Sequence, residues 1–537
     1  MIDNNPSVEL EEYQPEMQQK ASNVNRLLIQ SKPKMLNTII KEFLNSDDYK
    51  EMLDVDKYYE SQNVNILNRS KQMMLYNERE KIIDGKSVKE TYPYLAPDLS
   101  RANHKLAHSY LYELINQCKD YLVGNPIKTE FDKKISKKLT QIIDDILYKD
   151  NKWGKYNQEN VKNAQKYKIG WSRVVIDDEG KLKLLNVNSK QVIYFLDDYD
   201  ELECLIYLYS KTEYDEKGKK KQVKYAEVFD DTYKDVYKST RGSQYELSEK
   251  DVPLLKKVTQ FGDEEVEETE ILSWERIPWI AWKFADDNID ALIPIRCFID
   301  MLDIDLSDLA NNVDDIQDAI WILENYQGQS IAQFMEDLKV KKAINVGEGG
   351  KVDNKTTEIP HEARMKLYEK CEKNIYKFGR GIDFSDRNNL GNASGVALKW
   401  SYGPLDEKAD DLEENGQIAL NYLFNLIFVY LKVTGQYNND FDSNDVKFIF
   451  DRSMIINEVE LVNEVMNSTD LISRKTALSH HPLVEDAEEE MKLIDEDERE
   501  LDEEVDTDGI EEDSEDNESE TERNERDNRN KDSKKNS

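Results

Sequence analysis

A short glycine-rich stretch is the first candidate for chemistry in this sequence. GEGGK at 347–351 contains the Gly-Lys pair of a phosphate-binding loop. That motif also needs a glycine five residues before the Gly-Lys pair and a serine or threonine after it. This chain has Asn345 and Val352 at those positions. The stretch is therefore interpreted as a hairpin turn.

Histidines are the second candidate. His104 and His108 are four residues apart, as zinc ligands on a helix can be, but Lys105 stands where the zinc-hydrolase motif has glutamate. A pair on a helix surface is the favoured interpretation, and the histidines at 480–481, before Pro482, favour a turn. Carboxylates are too numerous to single out an acid and a base. The sequence thus predicts no catalytic residue, no cofactor and no metal site, and the chain is predicted not to be an enzyme.

Bulk composition restricts the class of protein. With 537 residues the chain has room for two to four domains. The net charge of −38 and the pI near 4.6 oppose a nonspecific grip on nucleic acid, but not a protein past which nucleic acid slides. Four widely spaced cysteines predict reduced thiols, and the N-terminus predicts no secretory signal. The most apolar run, 418–433, is too short to span a bilayer, so a soluble protein with no membrane partner is expected.

A long helical pattern dominates the middle of the chain. Its apolar residues alternate in steps of four and three, as on a helix packed against other helices, and such a helix would be about 45 Å long. The apolar positions are Ile295, Ile299, Leu302, Leu306, Leu309, Val313, Ile316, Ile320 and Leu323. The other faces carry acidic residues, which are Asp300, Asp303, Asp305, Asp308, Asp314, Asp315 and Asp318.

A second helix completes a strut. Pro360 suits the first turn of a return helix, whose apolar stripe runs through Ala363, Leu367 and Cys371 to Phe378. Residues 325–359, between the two helices, predict a small α/β insert.

The other segments of the chain differ in their hydrophobic periodicity and in their composition. Residues 166–282 alternate as antiparallel strands, and 63–84, 97–123 and 132–148 are predicted helices. Glycine and asparagine predict a mobile loop over 385–393, followed by a helix to residue 432. Residues 485–537 hold 26 acidic and 8 basic side chains and predict disorder.

Several motifs, in order, resemble the SPP1-like portal proteins of tailed bacteriophages. They are NHKL at 103–106, YLVGNPI at 121–127, DLSDLAN at 305–311, DF at 383–384, GNASGVALK at 391–399, ISRKTAL at 472–478 and PLVED at 482–486. Together they cover about 60 to 486. The N-terminal arm and the acidic tail depart from the family, and nothing is carried over to them.

The resemblance implies an α+β, mainly helical fold in a ring oligomer, with a β-rich wing, a paired-helix stem, a small α/β clip, a tunnel loop with a kinked long helix, and a helical crown. The expected regions are an N-terminal arm (1–60), wing (61–290), first stem helix (291–325), clip (326–359), second stem helix (360–384), tunnel loop (385–393), kinked wing helix (394–435), wing strand and crown (436–484) and acidic tail (485–537).

The implied function is a ring of identical subunits, typically twelve, at one vertex of the capsid of the virion. Terminase would dock on the clip and package double-stranded DNA through the channel, without sequence specificity, and the genome would later leave by it. Other expected partners are scaffolding protein, major capsid protein and a head-tail adaptor. Assembly would take place in the host cytoplasm.

The resemblance also implies roles for residues. The tunnel loop, facing DNA, would comprise Ser385, Asp386, Arg387, Asn388, Asn389, Leu390, Gly391 and Asn392. The terminase-docking clip would include Val346, Gly347, Glu348, Gly349, Gly350 and Lys351. The acidic lining of the stem would be Asp300, Asp303, Asp308, Asp314, Asp315 and Asp318. The helix behind the loop would be kinked at Gly403 and Pro404.

Some assignments stay open at this level. The acidic residues could line the channel and keep the duplex movable, or form an ordinary solvated helix face. The basic residues Lys377, Arg380, Arg387 and Lys399 could contact the DNA backbone or form salt bridges to neighbouring subunits. A head-tail adaptor is a rival function, although adaptors are usually much smaller. A nuclease or ATPase is a second rival, but it would need a metal cluster or a phosphate loop.

Overall fold

The computed structural model of the chain describes residues 24–70, 72–83, 86–97, 102–214, 218–241, 244–260, 267–315, 320–324, 330, 349–355, 361–384, 395–437, 442, 445–453, 462, 465–479, 481–484 and 487–507. The chain divides into two compact units, residues 1–454 and 455–537. Helices and strands both contribute to the structure, which is therefore of mixed α and β type.

Four helices open the described chain: α1 (Arg26–Ser31), α2 (Pro33–Asn45), α3 (Asp47–Tyr59) and α4 (Val64–Leu67). Ile29, Leu36 and Ile40 are buried in one cluster with side chains between residues 193 and 245. Arg26, almost fully buried, donates to the carboxylate of the fully buried Asp235 at 3.0 Å. Residues 24–60 of the predicted N-terminal arm are therefore held by apolar and ionic contacts to strands that follow later in the chain.

A β-hairpin follows, formed by β1 (Gln72–Ile83) and β2 (Lys86–Pro97). The predicted helix over 63–84 is wrong beyond Leu67. Residues 78–81, Glu-Arg-Glu-Lys, have good helix propensity, but the antiparallel pairing with β2 overrides it. Asp84-Gly85, between the strands, is a hairpin signal that the sequence analysis did not use.

The next segment supplies many side chains of one large buried hydrophobic cluster, called the main core. Residues 102–109 have no regular structure, so the helix predicted from residue 97 is shorter than expected. The elements are α5 (Tyr110–Val123), β3 (Lys128–Phe131), α6 (Lys137–Asp144), which continues as a π-helix (Asp145–Asp150), and α7 (Trp153–Tyr167).

Antiparallel strands dominate residues 169–283. The strands are β4 (Ile169–Ile176), β5 (Leu182–Val187), β6 (Val192–Leu196), β7 (Leu202–Tyr214), β8 (Lys220–Phe229), β9 (Tyr233–Arg241), β10 (Gln244–Pro253), β11 (Leu255–Gln260), β12 (Glu267–Leu272) and β13 (Trp279–Lys283). β6 to β10 form a sheet of order β10-β9-β8-β7-β6, β4 lies between β13 and β5, and β11 pairs with β12. Every pairing is antiparallel, as the short connections predict.

The helix pair of the strut follows. α8 (Arg296–Asp315) is shorter than the predicted helix, because residues 320–324 form β14 (Ile320–Glu324), which pairs with β15 (Lys351–Lys355). Four consecutive apolar residues at 320–323 suit a strand better than one face of a helix. The return helix is α9 (His361–Phe378).

A 39-residue helix, α10 (Gly395–Val433), runs through the main core, and β16 (Val446–Ile449) pairs with β3. The second unit contains α11 (Arg474–Ser479) and α12 (Ala487–Thr507), which contact each other. The prediction of disorder from residue 485 is wrong for 487–507. Met491 and Ile494, three residues apart on an otherwise acidic helix, are partly buried.

Candidate functional site

α8 and α9 pack on each other and on α5. Ile299 of α8 and Cys371 and Ile375 of α9 lie in one buried cluster, as their stripes predict. Phe298 and Phe378 stack with ring centroids 5.5 Å apart. These three helices form the framework around which the predicted site residues lie.

Three polar side chains of α8, four residues apart, are buried and face residues 102–109. They are Asp303, Ser307 and Asn311, here called the polar ladder. They accept hydrogen bonds from alternate backbone N–H groups of the extended segment: His108 at 3.0 Å, Leu106 at 2.9 Å and His104 at 2.6 Å. The spacings match, because four helical residues rise about 6 Å and two extended residues about 6.6 Å. The ladder therefore fixes the segment that leads into α5.

Asp303 has a structural role. Its side chain is 1% exposed. Besides the His108 backbone, it contacts His108 Nδ1 at 2.6 Å and accepts from Asn63 Nδ2 at 2.5 Å. The prediction that Asp303 lines a channel is wrong, because a carboxylate enclosed within its own subunit does not face a bore.

Asp300 and Asp308 are also engaged within the chain. Asp300 accepts hydrogen bonds from the Tyr58 hydroxyl and the Asn65 amide, and burial raises the pKa of its carboxyl group. Asp308 pairs with both terminal nitrogens of Arg69 at 2.9 Å. These contacts hold residues 58–69 against α8: the charge of Asp308 is paired with Arg69, and the Asp300 carboxyl group accepts from two neutral donors.

The remaining acidic candidates are less defined. Asp314 and Asp315 end α8, but the structure does not describe their side chains, and Asp318 lies outside the described residues. Their channel-lining role stays a prediction.

The segment after α9 is tightly held by α5. A Cβ on Gly381 would lie 2.1 Å from Leu114 Cδ2, and one on Gly379 would lie 2.6 Å from Leu114 Cδ1. The Gln117 amide donates to the Ile382 carbonyl and accepts from the Ile382 N–H, each at 2.8 Å. The chain is thus fixed up to the point where the predicted tunnel loop begins.

The basic candidates differ in environment. Arg380, with φ of +52°, pairs with Asp411 of α10 at 2.9 Å. This partner within the same subunit is one that the sequence analysis did not consider. Lys377 and Lys399 are exposed. Arg387 lies outside the described residues.

α10 is tied back to the end of α9 by Lys408. This lysine is 4% exposed, and its Nζ donates to the Gly379 carbonyl at 3.4 Å. Burial lowers the pKa of its ammonium group. Lys408 was not predicted as a functional residue, although it lies among the buried residues Leu405, Ala409 and Leu412 at helical spacing.

Arg452, just after β16, also anchors α10. Its guanidinium pairs with Asp406 at 2.9 Å, Asp410 at 2.5 Å and Glu413 at 2.7 Å. Three carboxylates on successive turns meet one cation, which fixes this half of the helix. The signal in the sequence is their spacing of four and three.

The helix behind the loop contains the predicted kink residues. α10 continues through Gly403 and Pro404. Because proline has no N–H, the carbonyl of Trp400 lacks its usual helical partner. A kink at this point stays a prediction.

The predicted tunnel loop is not described: Ser385, Asp386, Arg387, Asn388, Asn389, Leu390, Gly391 and Asn392 lie outside the described residues, as do Val346, Gly347 and Glu348 of the clip. Gly349 has φ of +80°, which suits the predicted turn, and Lys351 begins β15. No group of side chains suited to a metal ion occurs in the described ranges.

One helical stretch, Lys399–Val433, is long and apolar enough to cross a membrane by length and composition. More than half of its apolar window is buried in the protein, and Leu420, Leu423 and Phe424 belong to the main core. Burial of this kind identifies a core helix.

The sequence of this chain is similar to those of known proteins. Residues 43–504 match the model of the family described as phage portal protein, SPP1 Gp6-like. The portal protein of Clostridium phage phiCD119 is 28% identical over 416 residues, covering 74% of this chain and 85% of the relative. The portal protein of Bacillus phage SPP1 is 26% identical over 429 residues, covering 78% and 82%.

Two solved necks of GTA particles are also similar to this chain. The neck of the empty particle, computed with C6 symmetry, has a TM-score of 0.36 at 9% identity over 70% of this chain and 90% of the other. The neck of the native particle, with C12 symmetry, has a TM-score of 0.35 at 8% identity over 69% and 89%. The assignment therefore rests on the family match, which covers most of the sequence: the chain belongs to the SPP1 Gp6-like family of phage portal proteins.

Proposed function

We propose that twelve copies of this chain form a ring at one capsid vertex, whose central channel admits double-stranded DNA during packaging and releases it during ejection. The family match over residues 43–504 carries the proposal. It spans α8 and α9, which would serve as the stem, β15 within the predicted clip (326–359), and α10, which would serve as the wing helix.

The partners follow from the same assignment. Terminase would dock on the clip, at Val346 to Lys351, and head-completion proteins, including a head-tail adaptor, would later replace it. Scaffolding protein and major capsid protein would contact the ring while it is assembled in the host cytoplasm. DNA would pass without sequence specificity, since phosphate contacts carry no sequence information.

Residues 385–392 would project into the bore as the tunnel loop. Lys377, Arg387 and Lys399 would touch the DNA backbone transiently, and Arg380 would do so only by leaving Asp411. Asp314, Asp315 and Asp318 would be the acidic lining of the stem. Tight phosphate binding would have to be broken at each step of transport, so few contacts serve better than many.

Electron microscopy of the purified full chain, with mass photometry, tests the ring: closed rings with a central hole are expected. A chain that stays monomeric at every concentration and salt, and is absent from filled heads, would contradict the proposal. For the DNA contacts, packaged DNA length is compared between Arg387→Ala/Lys399→Ala and the surface control Lys133→Ala/Lys138→Ala. An unchanged length of packaged DNA in the first variant would contradict a contact between these residues and the DNA backbone.

A further inference from the structure

A cleft of about 670 Å³ opens between α5 and α9, beside the segment that leads towards residue 385. Aromatic rings and two carboxylates form its walls. The residues on which the argument depends are Tyr110, Tyr112, Glu113, Glu372, Tyr376 and Phe384. A concave site with aromatic faces and negative charge suits a cationic group, which both kinds of side chain attract.

The two carboxylates receive only neutral donors. The Tyr376 hydroxyl donates to Glu113 at 3.0 Å, and the Tyr110 hydroxyl donates to Glu372 at 2.9 Å. Burial, together with the carboxylates, raises the pKa of both tyrosines, so the phenols stay protonated and act as donors. Among the residues that the structure describes, no lysine, arginine or histidine pairs with either glutamate. The cleft therefore carries two uncompensated negative charges.

α9 also carries unpaired positive charge. Lys366, Lys370, Lys373 and Lys377 follow each other in steps of four, three and four, so they form one stripe, and all four are exposed. The stripe lies away from the buried face of Cys371 and Ile375. In the described part of the chain none of these lysines has a carboxylate partner.

We propose that, in the ring, the cleft of each subunit accepts Lys370 and Lys373 of the neighbouring copy. The inference rests on the proposed function, because it assumes the ring. Both lysines lie within one helical turn of Glu372 along α9. The rotation that relates the subunits of a ring does not change the height of any residue along the ring axis. Donors and acceptors of adjacent copies therefore meet at the same level.

The directions of the two surfaces also fit a ring. At 100° per residue, the Lys370–Lys373 pair points about 130° away from Glu372 around α9. In a circle of twelve parallel rods, the two neighbours of each rod lie about 150° apart as seen from it. One subunit can therefore donate lysines on one side while its cleft accepts them on the other. A contact of this head-to-tail kind closes into rings rather than into symmetric dimers.

Three full-length variants test the proposal: Glu113→Gln/Glu372→Gln, Lys370→Gln/Lys373→Gln and the surface control Lys133→Gln/Lys138→Gln. Glutamine keeps the acceptors for the tyrosine hydroxyls, and the lysines are exposed, so all variants should fold, as circular dichroism would check. The protein concentration at half assembly, measured by mass photometry, is expected to rise about tenfold or more in the first two variants. It should not change in the control. Combining the first two should add little, because both remove the same contact.

Carbodiimide coupling gives an independent readout. It joins a carboxylate and an amine as an amide, while the carbodiimide takes up the water as a urea. In rings mixed from ¹⁴N and ¹⁵N subunits, peptides linking Glu113 or Glu372 to Lys370 or Lys373 should carry both labels.

One outcome is that wild-type rings form, both variants assemble normally and no mixed-label link appears. This outcome would overturn the lysine-cleft contact and leave the portal function intact. Absence of wild-type rings would overturn both proposals. If Lys370→Gln/Lys373→Gln leaves assembly unchanged but lowers retention of duplex DNA, the stripe faces DNA and the contact proposed here is wrong.

Discussion

Replacing Asp303 with alanine tests whether the acidic residues of α8 support the fold from within. The carboxylate is 1% exposed and serves three donor groups: the His108 N–H, the His108 ring and the Asn63 amide. A buried donor left without a partner costs about 1–3 kcal/mol. Three such losses would sum to about 3–9 kcal/mol, and because neighbouring contacts are not additive we take the lower part of that range. We therefore expect a loss of about 3–5 kcal/mol in the local stability of residues 102–109.

Amide hydrogen exchange suits this chain better than global unfolding, because a protein of several units does not unfold in one step. A loss of about 3 kcal/mol accelerates exchange at His108 about a hundredfold. Ser307→Ala, which leaves only the Leu106 N–H without its acceptor, should accelerate exchange about tenfold. Asp308→Asn, at a pair with Arg69 whose side chains are 33% and 30% exposed, should have little effect. Equal exchange in Asp303→Ala and Asp308→Asn would refute the structural role of Asp303.

Two further predictions concern the anchors of the predicted tunnel loop. Gly381→Ala places a Cβ against Leu114 and should lower stability by about 1–3 kcal/mol. Gly154→Ala in α7, whose Cβ would meet Pro126 at an ordinary 3.7 Å, should be neutral or stabilising, and thermal unfolding of both would show whether they differ. Lys408→Met should preserve or raise stability at neutral pH, since it removes a buried ammonium group. The pKa of Lys408 is lowered from 10.5, so between the lowered and ordinary values the unfolded chain binds more protons and stability rises with pH. This slope, measured by denaturation at several pH values, should vanish in the variant, and a slope that persists would show that another group causes it.

Sequence periodicity located the long helices because each buries one apolar stripe. The return helix predicted from Pro360 is α9, and the helix predicted over 394–432 is α10. Family membership confirms the resemblance, and with it the prediction of a structural virion component rather than an enzyme.

Features that depend on distant partners were missed. The ladder residues Asp303, Ser307 and Asn311 are visible in the sequence as a stripe of step four, but polar stripes normally face water. Only the extended segment at 104–108, about 200 residues earlier, makes them internal. The β1–β2 hairpin was missed for a related reason, since pairing between strands overrode local helix propensity.

The residue types of the candidate site could be predicted from the sequence, but the directions in which its side chains point could not. Counting charges suggested an acidic strut, yet Asp300, Asp303 and Asp308 are engaged within the subunit. α9 presents four exposed lysines on one face, next to the exposed Glu362 and Glu369, so the net charge of that face is positive. A net charge of −38 therefore does not describe the surface of the helix pair.

This distribution of charge bears on how a portal ring could let DNA pass. Exposed lysines on a free subunit would attract phosphates, and each contact would have to be released during transport. If the neighbouring cleft takes up Lys370 and Lys373, ring closure itself neutralises the charges that would retain the duplex. The same ion pairs would then join the subunits and leave the assembled channel with fewer groups that hold DNA. Assembly and free passage would depend on one set of residues, so weakening the contact should affect both.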